Sequence, residues 1–206
     1  MTMNKVLVLR GDSYKAVGEL FASLGCEVVY DSSLLSEVNL VVFTGGSDVS
    51  PYIYGEEPAG ARGCDPRRDE IELSIWNGAK SLNLPCVGIC RGGQLLNVLN
   101  GGSMIQDIKP MLSGDFTMII PEDAESYDTL EVRVDHHQGM IPDETDHDVL
   151  WISHPSGHRV PRGIPLPWYE IFYPDTKDLC VQYHPEWGHE GTKQRFISLL
   201  KRFLDV

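Results

Sequence analysis

The first half of the chain alternates short, continuous apolar runs with amphipathic segments, and this alternation restricts the available folds more than any other property of the sequence. Three such runs, Lys5–Arg10, Leu40–Phe43 and Leu84–Ile89, are typical of strands buried on both faces of a parallel sheet. A further strand is predicted over Cys26–Tyr30. Apolar residues at helical spacing predict helices at Ser13–Leu24, Pro66–Leu82, Leu95–Leu99 and Thr192–Leu204. The sequence therefore predicts an α/β fold with a doubly wound, mostly parallel central sheet flanked by helices.

The second half of the chain is richer in predicted strands. Shorter candidates, separated by polar or proline-rich turns, lie at Phe116–Ile120, Leu130–Val134, Val149–Ser153, Tyr169–Tyr173 and Leu179–Tyr183. With 206 residues the chain is long enough for one large domain and short for two. We therefore expect residues 1–206 to form a single domain with a β-rich second half.

Charge and cysteine content exclude several classes of protein. The formal net charge is −13, so nucleic-acid backbones and anionic membranes would be repelled. No stretch approaches the roughly 18 apolar residues of a membrane span, and no signal peptide is recognisable. An odd, scattered set of cysteines makes a poor disulfide framework: Cys26, Cys64, Cys86, Cys90 and Cys180. A soluble cytoplasmic protein with reduced thiols is expected.

Cys90 is the candidate nucleophile. It lies at the centre of Gly88-Ile-Cys-Arg-Gly92, directly after a predicted buried strand and before a predicted helix, which is the layout of a nucleophile elbow with sulfur in place of oxygen. A free cysteine is more often a small buried residue, and this context is what favours the catalytic interpretation. Unpaired N–H groups at the start of the helix favour the thiolate. The other four cysteines lack this arrangement, and we expect them to be structural.

His184 is the candidate acid and base, because imidazole titrates near neutral pH and can protonate a leaving amine. It follows the predicted strand Leu179–Tyr183, and Glu186 lies two residues further along the chain. A carboxylate at that spacing can orient the imidazole, which would complete a triad of Cys90, His184 and Glu186.

A metal site has little support in the sequence. His136 and His137 are adjacent, but neighbouring residues of a strand point to opposite faces, and no third ligand has convincing spacing. The remaining histidines are predicted to lie on the surface or in loops: His147, His154, His158 and His189. No metal, nucleotide or flavin cofactor is predicted.

Two segments rich in turn residues are expected near Cys90. Thr44-Gly-Gly-Ser47 follows the strand Leu40–Phe43 as a tight turn, and Ser50–Asp65 reads as a long irregular loop. Ligands of doubly wound sheets bind beyond the carboxyl ends of the strands, where both Gly45-Gly46 and Cys90 lie.

The segment Gly88-Ile-Cys-Arg-Gly-Gly-Gln94, taken together with His184-Pro-Glu186, resembles the class I glutamine amidotransferase superfamily. Further segments resemble more closely its γ-glutamyl hydrolase branch (peptidase C26), which includes γ-glutamyl-γ-aminobutyrate hydrolases: Thr44–Tyr52, Tyr54-Gly-Glu56, Arg68-Asp69 and Asn97–Gly102. The resemblance implies a flavodoxin-like fold. It spans nearly the whole chain and is weakest over Met111–Leu130 and Ser153–Pro167.

The resemblance also implies a role for each site residue. Cys90 would attack the γ-carbonyl of glutamine or of a γ-glutamyl amine, forming a thioester that water then hydrolyses. The oxyanion would be held by the backbone N–H groups of Gly46 and Arg91. The side chain of Arg91 could make an ordinary surface ion pair while its backbone serves the reaction. Residues that would help to hold the glutamyl group are Gln94, His136, His137 and Gln138.

Three functions remain open at this point. The first is a stand-alone hydrolase of γ-glutamyl amides. The second is a glutaminase subunit that delivers ammonia to a separate synthetase, because no ATP-binding or acceptor domain is recognisable in the chain. The third is a non-catalytic binding module on the same fold. The sequence leaves open the leaving amine, the pathway and a homodimer. Compared with typical γ-glutamyl hydrolases the chain is short, which leaves the substrate lid and the segment Ser153–Pro167 unassigned.

Overall fold

A computed structural model describes residues 4–108, 116–119, 130–143 and 168–204. Its strands are β1 (Lys5–Val8), β2 (Glu27–Val29), β3 (Leu40–Phe43), β4 (Cys86–Ile89), β5 (Ser103–Ile105), β6 (Phe116–Ile119), β7 (Leu130–Arg133), β8 (Gly139–Ile141), β9 (Glu170–Tyr173) and β10 (Asp178–Val181). Its α-helices are α1 (Tyr14–Ser23), α2 (Pro66–Ser81), α3 (Arg91–Leu99) and α4 (Glu190–Phe203). Short 3₁₀ helices lie at Ser32–Glu37 and Pro51–Tyr54.

The central sheet has six strands in the order β2-β1-β3-β4-β10-β9. All neighbouring strands pair in parallel except β9, which pairs antiparallel with β10 at the edge. The pairs β5-β8 and β6-β7 form separate antiparallel ribbons. This topology confirms the predicted doubly wound, mostly parallel fold.

Helices cover both faces of the sheet. On one face, alternate residues of the central strands pack against α1 and α4 through Phe21 and Phe196, whose rings meet edge to face at 6.2 Å. On the other face, the remaining strand residues pack against α2 and α3 through Ala79 and Leu95. Because both faces are covered, the parallel strands are apolar apart from a charged residue at the start of β1, β2 and β10.

The predicted elements differ from the observed ones mainly at their ends. β3 has the predicted bounds, whereas α3 begins at Arg91 rather than at Leu95. β5 and β8 were not predicted, because three residues are too few to show a clear alternation. The predicted strand Val149–Ser153 and the unassigned segment Ser153–Pro167 lie outside the described residues. The single domain over residues 1–206 stays a prediction.

Four chain segments meet at the carboxyl ends of the parallel strands. β1 leads to Asp12, β3 to Gly45, β4 to Cys90, and β10 to His184. A backbone bridge joins two of these segments, since the Asp12 N–H donates to the Gly45 carbonyl at 3.0 Å. The sheet order therefore brings the predicted nucleophile, base and glycine turn to one edge. Among the described residues, no helix has the length and apolar character needed to cross a bilayer.

Gly92 should tolerate no side chain, because a Cβ there would lie 2.2 Å from the Phe43 carbonyl oxygen at the end of β3. We expect Gly92→Ala to lower the free energy of unfolding by about 1–3 kcal/mol, the range typical of overpacking. Gly191→Ala in α4 is the matched control, since its nearest contact, to Leu130, would be an ordinary 3.4 Å. Equal urea midpoints for the two variants would contradict this close packing of α3 on β3.

Candidate functional site

Cys90 occupies a strained position between β4 and α3. Its φ and ψ angles are 55° and −114°, and it caps the N-terminus of α3 without a side-chain capping bond. Its N–H donates to the Val181 carbonyl at 2.7 Å, and its Sγ lies 3.8 Å from the Asp135 carbonyl oxygen. A non-glycine residue adopts such angles only where its surroundings impose them, and such strain occurs most often at functional sites.

His184 and Glu186 form the second part of the site. The His184 Nδ1 lies 2.8 Å from Glu186 Oε1, and both side chains are almost completely buried. The imidazole and Cys90 line the same cavity, and Cys90 acts electrostatically on the ring. The structure thus brings together the three side chains that the sequence predicts as a triad.

The electrostatic environment of His184 favours the imidazolium. Burial lowers the pKa of His184, but the charge and hydrogen bond of Cys90 raise it, as does Glu186, and the result is about 10 against an ordinary value of 6.5. The His184 ring is therefore protonated at neutral pH.

Two side chains that support this arrangement were not found from the sequence. The Ser13 hydroxyl donates to Glu186 Oε1 at 2.6 Å, from a left-handed residue (φ 57°) at the start of α1. The Trp187 indole stacks on the His184 ring with a centroid distance of 4.4 Å. Trp187 adjoins the His-Pro-Glu segment and could have been singled out for that reason. Ser13 could not, because only the sheet order brings it near Glu186.

A cavity of about 370 Å³ opens in front of Cys90. Its lining holds six of the predicted site residues, namely Gly46, Cys90, Gln94, His136, His137 and His184, together with Asp12, Ser47, Asp48, Asp135 and Trp187. Cavities of similar volume, about 390 and 420 Å³, are lined by neither the nucleophile nor the base. The cavity beside Cys90 is therefore the candidate substrate site.

Of the two predicted oxyanion donors, Gly46 lines the cavity with Cys90, and Arg91 follows Cys90 in the chain. Gly46 lines the cavity with φ 151°, a conformation that L side chains rarely adopt. Arg91 is the first residue of α3, so its N–H has no acceptor within the helix. Gly45 packs so closely that a Cβ there would lie 3.1 Å from His184 Cε1.

The Arg91 side chain does not make a surface ion pair, contrary to the plain alternative for this residue. Its guanidinium is 1% exposed and pairs with Asp69 and Glu72 of α2 inside the protein. The carboxylates lie three residues apart on one face of the helix, and that face turns inward. The sequence did not indicate this buried ionic pairing, because the charged face of a helix is usually exposed to solvent.

Of the four residues predicted to hold the glutamyl group, three line the cavity and one does not. Burial lowers the pKa of His136 to about 4, so its ring is neutral at pH 7, and its Nδ1 lies 2.7 Å from the Gln138 carbonyl oxygen. His137 Nε2 lies 2.8 Å from an Asp48 carboxylate oxygen. Gln94 lies deeper and donates to Gln182 at 3.1 Å. Gln138, in contrast, is buried and absent from the cavity lining.

The other cysteines differ from Cys90 in their surroundings. Burial raises the pKa of each of these thiols: Cys26, Cys64, Cys86 and Cys180. Cys86 and Cys180 lie in the apolar core on one face of the sheet. Within the described part of the chain, no three His, Cys, Asp or Glu side chains are placed to hold a metal ion.

The chain is similar in sequence to a known protein family and to several known proteins. The family model of peptidase C26 matches residues 24–146. A putative glutamine amidotransferase-like protein YvdE of Lactococcus lactis is 52% identical over 75 residues, which cover 36% of this chain and 32% of that protein. The γ-glutamyl-γ-aminobutyrate hydrolase PuuD of Escherichia coli is 29% identical over 164 residues, covering 69% and 61%.

Other relatives extend over more of the chain. A glutamine-hydrolysing GMP synthase of Ruminiclostridium cellulolyticum is 28% identical over 196 residues, which cover 89% of this chain and 32% of that enzyme. The chain spans about a third to a half of the length of the curated relatives that it matches first, 32%, 38% and 53% of them. A solved glutamine amidotransferase of Thermotoga maritima covers the whole chain with a TM-score of 0.64 at 19% identity, which shows the shared fold.

The charge state of His184 provides a test of the Cys90 contact. Because the pKa of about 10 lies above pH 8, the ring should be protonated at pH 8 in the wild-type protein. Cys90→Ser removes the largest influence that raises this pKa, so the pKa should fall toward 6.5. Cys64→Ser, a change in the loop, should leave the ring unaffected. Ring ¹⁵N shifts measured by NMR across pH 5–11 decide this, and equal titrations in all three proteins would contradict the contact.

Proposed function

Because the chain belongs to the peptidase C26 family, we propose that it is a thiol hydrolase of γ-glutamyl amide bonds, acting on glutamine or γ-glutamyl amines. The observation that carries this proposal is that Cys90, on its strained turn, shares one cavity with an imidazole that Glu186 orients. A nucleophile beside a base that a carboxylate orients is the general arrangement for acyl transfer.

In the proposed reaction, the Cys90 thiolate attacks the γ-carbonyl carbon and the carbonyl π electrons move to oxygen. The tetrahedral intermediate collapses when its C–N bond breaks and the His184 imidazolium gives its proton to the leaving amine. A γ-glutamyl thioester remains on sulfur. Water then attacks this thioester while neutral His184 takes a proton, and the C–S bond breaks to release glutamate and restore the thiolate–imidazolium pair.

Backbone groups would stabilise the negative oxygen of both tetrahedral intermediates. The N–H groups of Gly46 and Arg91 are the proposed donors, because they belong to the two turns that border Cys90. Donors fixed before the reaction cost no reorganisation during it, and each is worth about 10²–10³ in kcat.

The lining of the cavity suits a glutamyl group. Asp12, Asp48 and Asp135 supply negative charge for its α-ammonium group. Neutral His136 engages the Gln138 carbonyl through Nδ1, which leaves Nε2 as an acceptor without a partner among the described residues. Gln94 and His137 contribute further polar groups to the lining, and Gln138 would act through its carbonyl from behind His136.

A second candidate function is that of a glutaminase subunit that supplies ammonia to a synthetase. It is favoured by the similarity of nearly the whole chain to one third of a glutamine-hydrolysing GMP synthase. The similarity to PuuD, a γ-glutamyl-γ-aminobutyrate hydrolase, favours the stand-alone hydrolase instead. The chemistry at Cys90 is the same in both cases, and only the fate of the amine differs.

Cys90→Ser should abolish the proposed activity and spare the fold. Replacing sulfur by oxygen is almost isosteric, but the hydroxyl is far less readily ionised, so kcat should fall by roughly 10³-fold or more. The measurement is amine release from glutamine and a panel of γ-glutamyl amines, with thermal unfolding as the check on folding. Cys64→Ser is the matched control and should retain full activity. A folded wild-type protein that releases no amine from any of them would favour the non-catalytic binding module.

The glutaminase alternative predicts dependence on a partner. Ammonia release from glutamine by the isolated chain should then be slow and should rise at least about tenfold when a cognate synthetase and its substrates are added. Activity on a γ-glutamyl amine that no synthetase changes would reject this alternative in favour of the stand-alone hydrolase.

A further inference from the structure

A buried ionic cluster joins the glycine turn Thr44–Ser47, which follows β3, to the start of α3 at Arg91. It consists of Arg68, Asp69 and Glu72 from α2 and Arg91 from α3. Arg68 Nε donates to Glu72 Oε1 at 2.8 Å, and Arg91 donates to both Glu72 and Asp69. The exposed fractions of the four side chains are 15%, 0%, 3% and 1%, respectively.

At one end of this cluster, the Arg68 side chain holds the glycine turn. Arg68 Nη2 donates to the carbonyl oxygens of Thr44 and Gly45, each at 3.0 Å. The Gly45 oxygen also accepts the Asp12 N–H at 3.0 Å. Two donors from different elements therefore fix the direction of the Gly45 carbonyl.

The orientation of the Gly45 carbonyl determines that of the next N–H. The C=O of Gly45 and the N–H of Gly46 belong to one planar peptide unit, and in a trans peptide they point in opposite directions. Because the Arg68 guanidinium holds the Gly45 oxygen on one side of the turn, the Gly46 N–H points to the opposite side of the turn. Arg68 lines a cavity of about 390 Å³ that shares no lining residue with the one in front of Cys90.

Two glycines pack closely against the guanidinium. A Cβ on Gly46 would lie 2.0 Å from Arg68 Nη1, and one on Gly11 would lie 2.3 Å from Nη2. The glycines at these positions thus make room for the Arg68 side chain, which passes between the β1 and β3 ends of the sheet.

We propose that Arg68 is a positioning residue of the reaction, which aims the Gly46 N–H at the oxyanion by holding the Gly45 carbonyl. Glu72 and Arg91 link this turn to the start of α3, so the two proposed oxyanion donors are set by one cluster. This inference rests on the proposed function for its kinetic consequence, whereas the fixed orientation of the turn stands independently of it.

The first experiment compares Arg68→Lys with Arg67→Lys, since Arg67 is the exposed neighbour on α2. A lysine ammonium cannot span both carbonyls and Glu72 as the guanidinium does. We expect Arg68→Lys to lower kcat about 10- to 100-fold with KM changed less than about threefold, since displaced donors cost the transition state selectively. Arg67→Lys should retain wild-type kcat.

Alkylation of Cys90 by iodoacetamide distinguishes a misplaced oxyanion donor from a general loss of thiol reactivity. That reaction needs the thiolate but no oxyanion donor, so its rate should be unchanged in Arg68→Lys. Gly11→Ala would place a Cβ 2.3 Å from Arg68 Nη2 and 2.6 Å from Thr44 Oγ1. It displaces the guanidinium, together with the Thr44 hydroxyl beside it, without altering any charge, and should show the same loss of kcat. This second variant keeps the test decisive if Arg68→Lys fails to fold.

Amide hydrogen exchange of the segment Phe43–Ser47, measured without substrate, tests the turn directly. Exchange should be faster in Arg68→Lys and Gly11→Ala than in the wild type and Arg67→Lys. Unchanged exchange with unchanged kcat would overturn the inference, as would alkylation that slows in parallel with kcat. If the wild-type protein hydrolysed no γ-glutamyl amide, the proposed function would fail, and exchange alone would then decide whether Arg68 holds the turn.

Discussion

The backbone of Cys90 is the constraint on which the rest of the site depends. A left-handed φ of 55° places its side chain at the end of β4 while α3 begins at the next residue. The strain of such a conformation, about 1–3 kcal/mol, persists only where packing offers no alternative. Here a Cβ on Gly88 would lie 2.3 Å from the Gly92 carbonyl oxygen, so α3 can press against the strand only because both positions are glycine.

The groups that surround Cys90 are supplied by different strands and helices of the fold. Along the edge of the sheet, β10 supplies the imidazole, and the end of β1 supplies Ser13, which holds the carboxylate behind it. On the other side, α2 supplies the guanidinium that holds the glycine turn. Parallel strands with a flavodoxin-like order place all these segments at one edge of the sheet.

The sequence predicted the parts of this site that are marked by local patterns. β3 was predicted correctly because four consecutive apolar residues are buried on both faces. The start of α3 was missed because Arg91, Gly92 and Gly93 resemble a turn, and only their packing against β3 and β10 makes them helical. The inward direction of Glu72 was missed as well, because its partner Arg91 lies 19 residues further along the chain and becomes a neighbour only after folding.

The proposed reaction requires that Cys90 carries the glutamyl group during turnover. Rapid quenching of the protein with a γ-glutamyl amide at saturating concentration, followed by peptide mass analysis, tests this most directly. We expect a γ-glutamyl adduct on the peptide that contains Cys90, formed and lost at rates consistent with kcat. Hydrolysis at the full rate with no adduct on that peptide, or with the adduct on another residue, would contradict it.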